Sequence, residues 1–458
     1  MQNGLPTVPL RAAMTLRTLF VDFNSYFASV EQQEHPELRG CPIGIVPVRA
    51  ESTCCIAASS EAKHHGVRTG TRVSDARQLC PGIRFVVARP RVYVNYHQRL
   101  RAAIETCLPI DHVGSIDEMS GELIGRERQR ENAIAIAERV RAAVFGVGEA
   151  LGVSVGIAPN AYLAKTASDM QKPHGLTVLE LGDLPHALHR LELRDLCGIG
   201  SSMEHRLHAR GIHTVTQLCA ADKQLLRLVW GGIEGERMFA MLRGDWLPQR
   251  ATQRSSVGHS HVLAPELREP QAATAVMKKL LLKAAMRLRH ENYLAGAMSA
   301  RIKYLGGTTT WQLDVEFAPS DDSRAMLHLL SAGLQRIDAV TRRRALDTNG
   351  PKPLSVAVSL QRLVPRAQCT DSLFAQDREA VALNRVIDTI NKRYGGNKVY
   401  FGGMQLALAA APMRIPFQHV PDTGIEDESA KNLLWHKALN KARRHAETAH
   451  LQAAGRPR

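Results

Sequence analysis

The stretch Leu19-Phe20-Val21-Asp22-Phe23-Asn24-Ser25-Tyr26-Phe27-Ala28-Ser29-Val30-Glu31 decides the fold. Apolar residues on both alternating faces of 19–23 read as a central β-strand covered on two sides. The pattern then turns helical after the capping candidates Asn24 and Ser25. Asp22 therefore stands at the end of a buried strand, where a carboxylate is costly unless it is paired or bound to a cation. Further along, Ser115-Ile116-Asp117-Glu118 sets two adjacent carboxylates where a strand meets a turn, just after Val113-Gly114. Neighbours on a regular strand face opposite ways, so both acids reach one ion only if the backbone turns or bulges there. Asp22, Asp117 and Glu118, on two adjacent strands, make an all-oxygen set. Such a set suits Mg²⁺, often as two ions that clamp the attacking and leaving oxygens of a phosphoryl transfer.

Composition narrows the partner. Lys plus Arg number 59 against 44 Asp plus Glu, a formal net charge of +15, which points to a polyanion and to nucleic acid before membrane. No apolar run approaches the roughly 20 residues needed to span a bilayer, and residues 1–16 carry no signal-peptide core, so a cytoplasmic protein is expected. The first strand begins shortly after Met14, which makes Met14 a candidate start. The eight cysteines show no Cys-x-x-Cys spacing, and the adjacent Cys54-Cys55 pair suits a reducing compartment. Cys197, His205, His208 and Cys219 come nearest to a zinc cluster but fit no zinc spacing.

The run Asp22 to Glu31, then Ser115-Ile116-Asp117-Glu118, then Val155-Gly156-Ile157-Ala158-Pro159-Asn160 with Leu163-Ala164-Lys165 and Lys172-Pro173, resembles the Y-family, or translesion, DNA polymerases. The resemblance covers roughly the first 410 residues in order. It implies an α+β multidomain fold shaped like a right hand. The palm would comprise 14–32 and 88–178, small fingers 33–87, a helical thumb 179–248, a βαββαβ little finger 249–415, and a tail 416–458. Mixed strands with helices on one face describe that palm.

The resemblance also implies roles. Asp22, Phe23, Asp117 and Glu118 would be the metal set, with two Mg²⁺ per site and Mn²⁺ as a substitute. Phe27 would be the steric gate beneath the sugar, and Lys165 the triphosphate lysine. Ser60 and Lys63 stand where relatives carry a Tyr and an Arg; Lys63 keeps the charge but not the bidentate fork, which predicts weaker nucleotide binding or a shifted register, not an inactive site. Asn24 stands where many relatives carry a second Asp, and Ser120 and Gly121 replace bulkier residues. Gly198 and Gly200 open a helix-hairpin-helix pattern whose amides would hold a DNA phosphate.

In the little finger, the alternation Ala300-Arg301-Ile302-Lys303-Tyr304 puts Arg301 and Lys303 on one face, where they would lie along a phosphate backbone. The pattern predicts strands at 256–263, 297–305, 310–317 and 354–361 and helices at 270–290 and 323–340, then a further helix at 378–394 and a strand at 398–401. That extension looks more like the catalytic subunit of bacterial polymerase V than like polymerase IV. Leu373 and Phe374 occupy the place of a degenerate clamp-binding peptide, and the tail holds an acidic patch followed by a basic run. The resulting expectation is a low-fidelity polymerase of DNA repair and SOS mutagenesis. Its partners would be primer-template DNA, deoxynucleoside triphosphates, the sliding clamp and other mutagenesis proteins. The alternative is a catalytically silent relative serving as a DNA- and clamp-binding scaffold, favoured only by Ser60 and Lys63.

Overall fold

Residues 18–23 form the strand Thr18–Phe23, and all six residues are buried. A computed structural model of the chain describes residues 15–48, 50–51, 53–248, 254–306, 310–341, 352–370, 375–394, 396–413, 415 and 420–422. Packing divides these into two units, one running to Pro248 and including Ile415 and Val420, the other beginning at Arg254. Among the described residues no helix is long and apolar enough to cross a membrane.

In the first unit, Thr18–Phe23 is the middle strand of five, in the order His112–Val113, Glu118–Glu122, Thr18–Phe23, Val153–Ala158, Leu176–Val178. It runs antiparallel to both neighbours. Leu19, Val21 and Phe23 enter a core with the helices Pro90–Glu105 and Arg130–Val147, while Phe20 enters a separate core with the helix Ala161–Met170. Helices thus cover both faces of the sheet, not one. The reason lies in the strand itself, whose apolar residues on alternating sides leave no face that water can occupy.

Two glycines set how tightly these layers close. A β-carbon on Gly156 would stand 2.0 Å from the Ala164 carbonyl oxygen and 2.4 Å from the Ser168 nitrogen, so the strand and the helix Ala161–Met170 approach closely only because the side chain is missing. Gly121 has a similar cause, with the Pro109 carbonyl oxygen 2.3 Å from where its β-carbon would be. The expected capping by Asn24 or Ser25 is not what starts the helix Tyr26–Glu34. Ser25 is the cap residue in a left-handed conformation without a side-chain bond, and Asn24 reaches elsewhere.

The strand Ile43–Val46 pairs with Ala57–Ala58 and, in parallel, with Arg84–Val87, flanked by the helices Ser60–His64 and Val73–Leu79. Four helices, Ser201–His208, Val215–Ala220, Lys223–Trp230 and Ile233–Leu242, follow the five-stranded sheet and share the core of Ala161–Met170. Thr214 caps the second of them by accepting from the Gln217 amide.

The second unit has the expected βαββαβ order. Its antiparallel sheet runs Thr310–Ser320, Tyr293–Tyr304, Pro353–Pro365, Ser256–Val262, with the helices Pro270–His290 and Ser323–Thr341. The added helix is Ala375–Tyr394. The strand expected at 398–401 does not form. The Asn391 amide accepts from the Lys398 and Val399 nitrogens and donates to the Val399 carbonyl. It satisfies the groups a partner strand would have used, and a 3₁₀ turn, Gly402–Ala407, follows.

Replacing Gly156 by Ala is expected to destabilise the fold by roughly 1–3 kcal/mol through overpacking against helix backbone. The shift of the urea midpoint at unchanged slope measures this.

Candidate active site

The register places Asp22 opposite Glu118. Asp22 is only 4% exposed, and its partners are cations. Lys165 Nζ lies 2.5 Å from Asp22 Oδ2, 2.9 Å from Glu118 Oε1 and 3.2 Å from Asp169 Oδ2. Lys172 Nζ lies 2.7 Å from Asp22 Oδ1 and 2.6 Å from Asp169 Oδ1. Burial alone would lower the Lys165 pKa, but Asp22, Asp169 and Glu118 hold it well above the lysine range. Burial raises the Glu118 carboxyl; Lys165 opposes that shift, and the nearby Asp22 and Asp117 add to it.

Asp117 sits in the turn before its strand. Its backbone oxygen accepts from the Phe23 nitrogen at 2.9 Å, extending the pairing past Asp22, and its Oδ1 accepts from Ser115 Oγ at 2.5 Å. The backbone therefore turns at this point, as the sequence reading required for both acids to face one way. Among the described residues no three His, Cys, Asp or Glu side chains stand close enough together to hold a metal ion as they are placed. The donor set nevertheless fits a hard divalent ion, since it is oxygen throughout and Asp22 and Glu118 already converge on one cationic centre.

Lys63 donates to Ser25 Oγ at 2.8 Å. Its pKa is lowered by burial first and by the charge of Lys172 next, while Asp22 and Asp117 pull the other way, which places it beside the same carboxylates. Ser60 opens its helix half-buried, behind the capping Ser59. Phe27, also half-buried, stacks on Tyr93 with ring centroids 4.5 Å apart. Tyr26 is buried as expected of a core aromatic, and its hydroxyl donates to the Tyr93 carbonyl. Gly198 takes φ +82° and Gly200 caps Ser201–His208, so the chain turns where the sequence placed the hairpin. In the second unit, Arg301 and Lys303 are exposed on their strand, between the buried Ala300 and Ile302. Leu373, Phe374 and the tail from 423 onward lie outside the described residues.

Several residues escaped sequence reasoning. Lys172 and Asp169 complete the charge cluster; the spacings Lys165–Asp169 and Asp169–Lys172, four and three residues, were the available signal. Asn24 Oδ1 accepts from the His174 nitrogen at 2.9 Å and its Nδ2 donates to Ser154 Oγ, tying the segment after Lys172 to the first strand. The fully buried Glu31 accepts from Tyr93 Oη and, bidentately, from Arg89. His97 Nδ1 lies 2.7 Å from the Ile116 carbonyl and holds the turn that precedes Asp117.

Comparison with known proteins identifies the family. Residues 21–169 match the impB/mucB/samB family, residues 254–373 its C-terminal domain, and residues 194–245 the thumb domain of DNA polymerase-iota. The chain is 31% identical to DNA polymerase IV of Moorella thermoacetica over 393 residues, covering 83% of this chain and 94% of that one. It is 28% identical to DNA polymerase IV 1 of Bacillus subtilis, covering 82% and 90%. Among solved structures, the Y-family DNA polymerase chimera Dbh-Dpo4(243-245)-Dbh superimposes with a TM-score of 0.63 at 22% identity, covering 76% of this chain and 99% of that one. An insertion ternary complex of Dbh DNA polymerase gives 0.51 at 23%, with the same coverage.

Fold, carboxylate pair and relatives together define a DNA-directed DNA polymerase. The chain belongs to the Y family of these enzymes, the translesion polymerases, and resembles their DNA polymerase IV members. The likeness of the C-terminal extension to the polymerase V catalytic subunit is not carried by these relatives.

Burial lowers the His97 pKa from 6.5. Between that lowered value and 6.5 the unfolded chain binds the proton and the folded chain does not, so this residue's contribution to stability is complete above about pH 7 and is lost as pH falls through the window. Urea midpoints from pH 5 to 8 should fall less steeply on acidification in His97→Gln than in the parent.

Proposed function

We propose that this polymerase extends a primer 3′ end with deoxynucleotides at the site built on Asp22, Asp117 and Glu118, with low fidelity and across damaged templates. One observation carries the reading: two strands that pair in register deliver Asp22 and Glu118 to a single cationic centre. Asp22, Phe23, Asp117 and Glu118 would hold two Mg²⁺, or Mn²⁺ in their place, which when bound neutralise charge on the attacking and leaving oxygens.

The other roles belong to the chain's own side chains. Lys63, Lys165 and Lys172 surround Asp22 with ammonium groups, the charge that a nucleoside triphosphate needs. Ser60 and Lys63 contact that triphosphate with shorter, less directional groups than an aromatic and a guanidinium. Phe27 lies beneath the sugar and excludes a 2′-hydroxyl, stiffened by Tyr93 behind it. Amides at Gly198 and Gly200 hold a template-primer phosphate, and Arg301 and Lys303 line a second stretch of backbone. Palm, fingers, thumb and little finger are assigned to 14–32 with 88–178, 33–87, 179–248 and 249–415. The wider setting is the cytoplasm, DNA repair and SOS mutagenesis, with the sliding clamp met through Leu373 and Phe374.

Primer extension on undamaged and abasic templates tests this. Asp22→Asn, Asp117→Asn and Glu118→Gln should each lower the rate by about 10²–10³-fold or more. No extension by the parent with either Mg²⁺ or Mn²⁺ would replace the catalyst by the scaffold. Phe27→Ala should raise ribonucleotide use by about 10²-fold relative to deoxynucleotide, read as the ratio of kcat/KM values.

A further inference from the structure

Asn160 ends the strand Val153–Ala158 and begins the helix that carries Lys165. It is 4% exposed. Its Oδ1 accepts from the Leu163 nitrogen at 2.9 Å, the expected work of a helix cap. Capping uses only the oxygen. The nitrogen donates both its hydrogens outward, to the Met241 and Asp245 carbonyls at 3.0 Å each. Met241 lies in the last turn of the final thumb helix, Ile233–Leu242, and Asp245 just past Gly244, which takes φ +85°. One residue further, the Trp246 ring carries the Arg17 guanidinium 4.5 Å from its centroid, and Arg17 directly precedes the strand of Asp22.

We infer that Asn160 is a positioning residue through which the seating of the thumb fixes Lys165 on the carboxylates. A single amide holds both partners, so the thumb's last turn cannot withdraw without pulling the helix start or breaking two buried bonds. Lys165 is five residues into that helix, about 7.5 Å of rise, and the helix cannot yield sideways because Gly156 holds it against strand backbone. A displacement of the order of 1 Å at a catalytic cation is enough to cost about 10²-fold in rate. The inference rests on the nucleotide-binding role proposed for Lys165.

Two substitutions separate this linkage from plain capping. Asn160→Ala removes cap and linkage together. Asn160→Ser keeps a capping oxygen but has no amide to reach Met241 and Asp245. Steady-state extension gives KM for the nucleotide, and hydrogen exchange across residues 239–246 reports the thumb's end. With the linkage, Asn160→Ser raises KM by about tenfold and speeds exchange at 239–246, as Asn160→Ala does. Parental KM and exchange in Asn160→Ser would reduce Asn160 to a cap and overturn the proposal. Faster exchange with unchanged KM would overturn it as well, because the thumb would then loosen without Lys165 responding. Lys165→Ala is run alongside: unchanged KM in that variant rejects the role of the lysine itself and is told apart from either failure of Asn160.

Discussion

A carboxylate at the end of a strand covered on both faces has to be compensated, and the architecture of the first unit follows from how Asp22 is compensated. Its two oxygens are taken by Lys165 and Lys172, which come from one helix and from the segment just after it. Glu118, from the neighbouring strand, shares the first of these lysines. Breaking such a buried pair leaves an isolated charge, which costs far more than the pair itself contributes. Three chain segments, distant in sequence, therefore have to arrive together or not at all. Gly156 makes the meeting possible by letting the lysine-bearing helix rest on strand backbone.

Much of this was legible in the residues. Alternating apolar residues at 19–23 gave a doubly covered strand, and the period change after Phe23 gave a helix. The βαββαβ order of the second unit could be read off almost element by element, because its strands alternate and its helices carry long apolar faces. Asp22, Asp117 and Glu118 stood out because acids in apolar surroundings are expensive. What stayed hidden was set by partners far away in sequence. Glu31 carried no role in the sequence, and only the fold shows Arg89 and Tyr93 closed around it. Asn24 read as a capping candidate in a place where many relatives carry a second Asp, and instead ties down the segment after Lys172. The extension at 398–401 has a strand's composition, yet one asparagine side chain takes up its backbone bonds.

The second unit also buries charged side chains. Lys279 is 1% exposed, and its ammonium donates to the Leu408 and Ala410 carbonyls, while Lys283 donates to that of Ala411. Long aliphatic stems pack along the helix Pro270–His290 and their heads hold the segment that follows the 3₁₀ turn. In both units, then, a lysine ammonium ties its helix to a neighbouring segment of the chain.

The stack of Phe27 on Tyr93 has a consequence for anyone who wishes to alter this enzyme. Phe27 rests on Tyr93, Tyr93 on Glu31, and Glu31 on Arg89, which joins the strand Arg84–Val87 to the helix Pro90–Glu105. The outer ring can be exchanged for smaller or larger groups, since it is only half-buried. Behind it Tyr93 and Glu31 are fully buried and bonded to each other, with Arg89 on the same carboxylate, so randomising the whole column would also strip a buried charge of its partners.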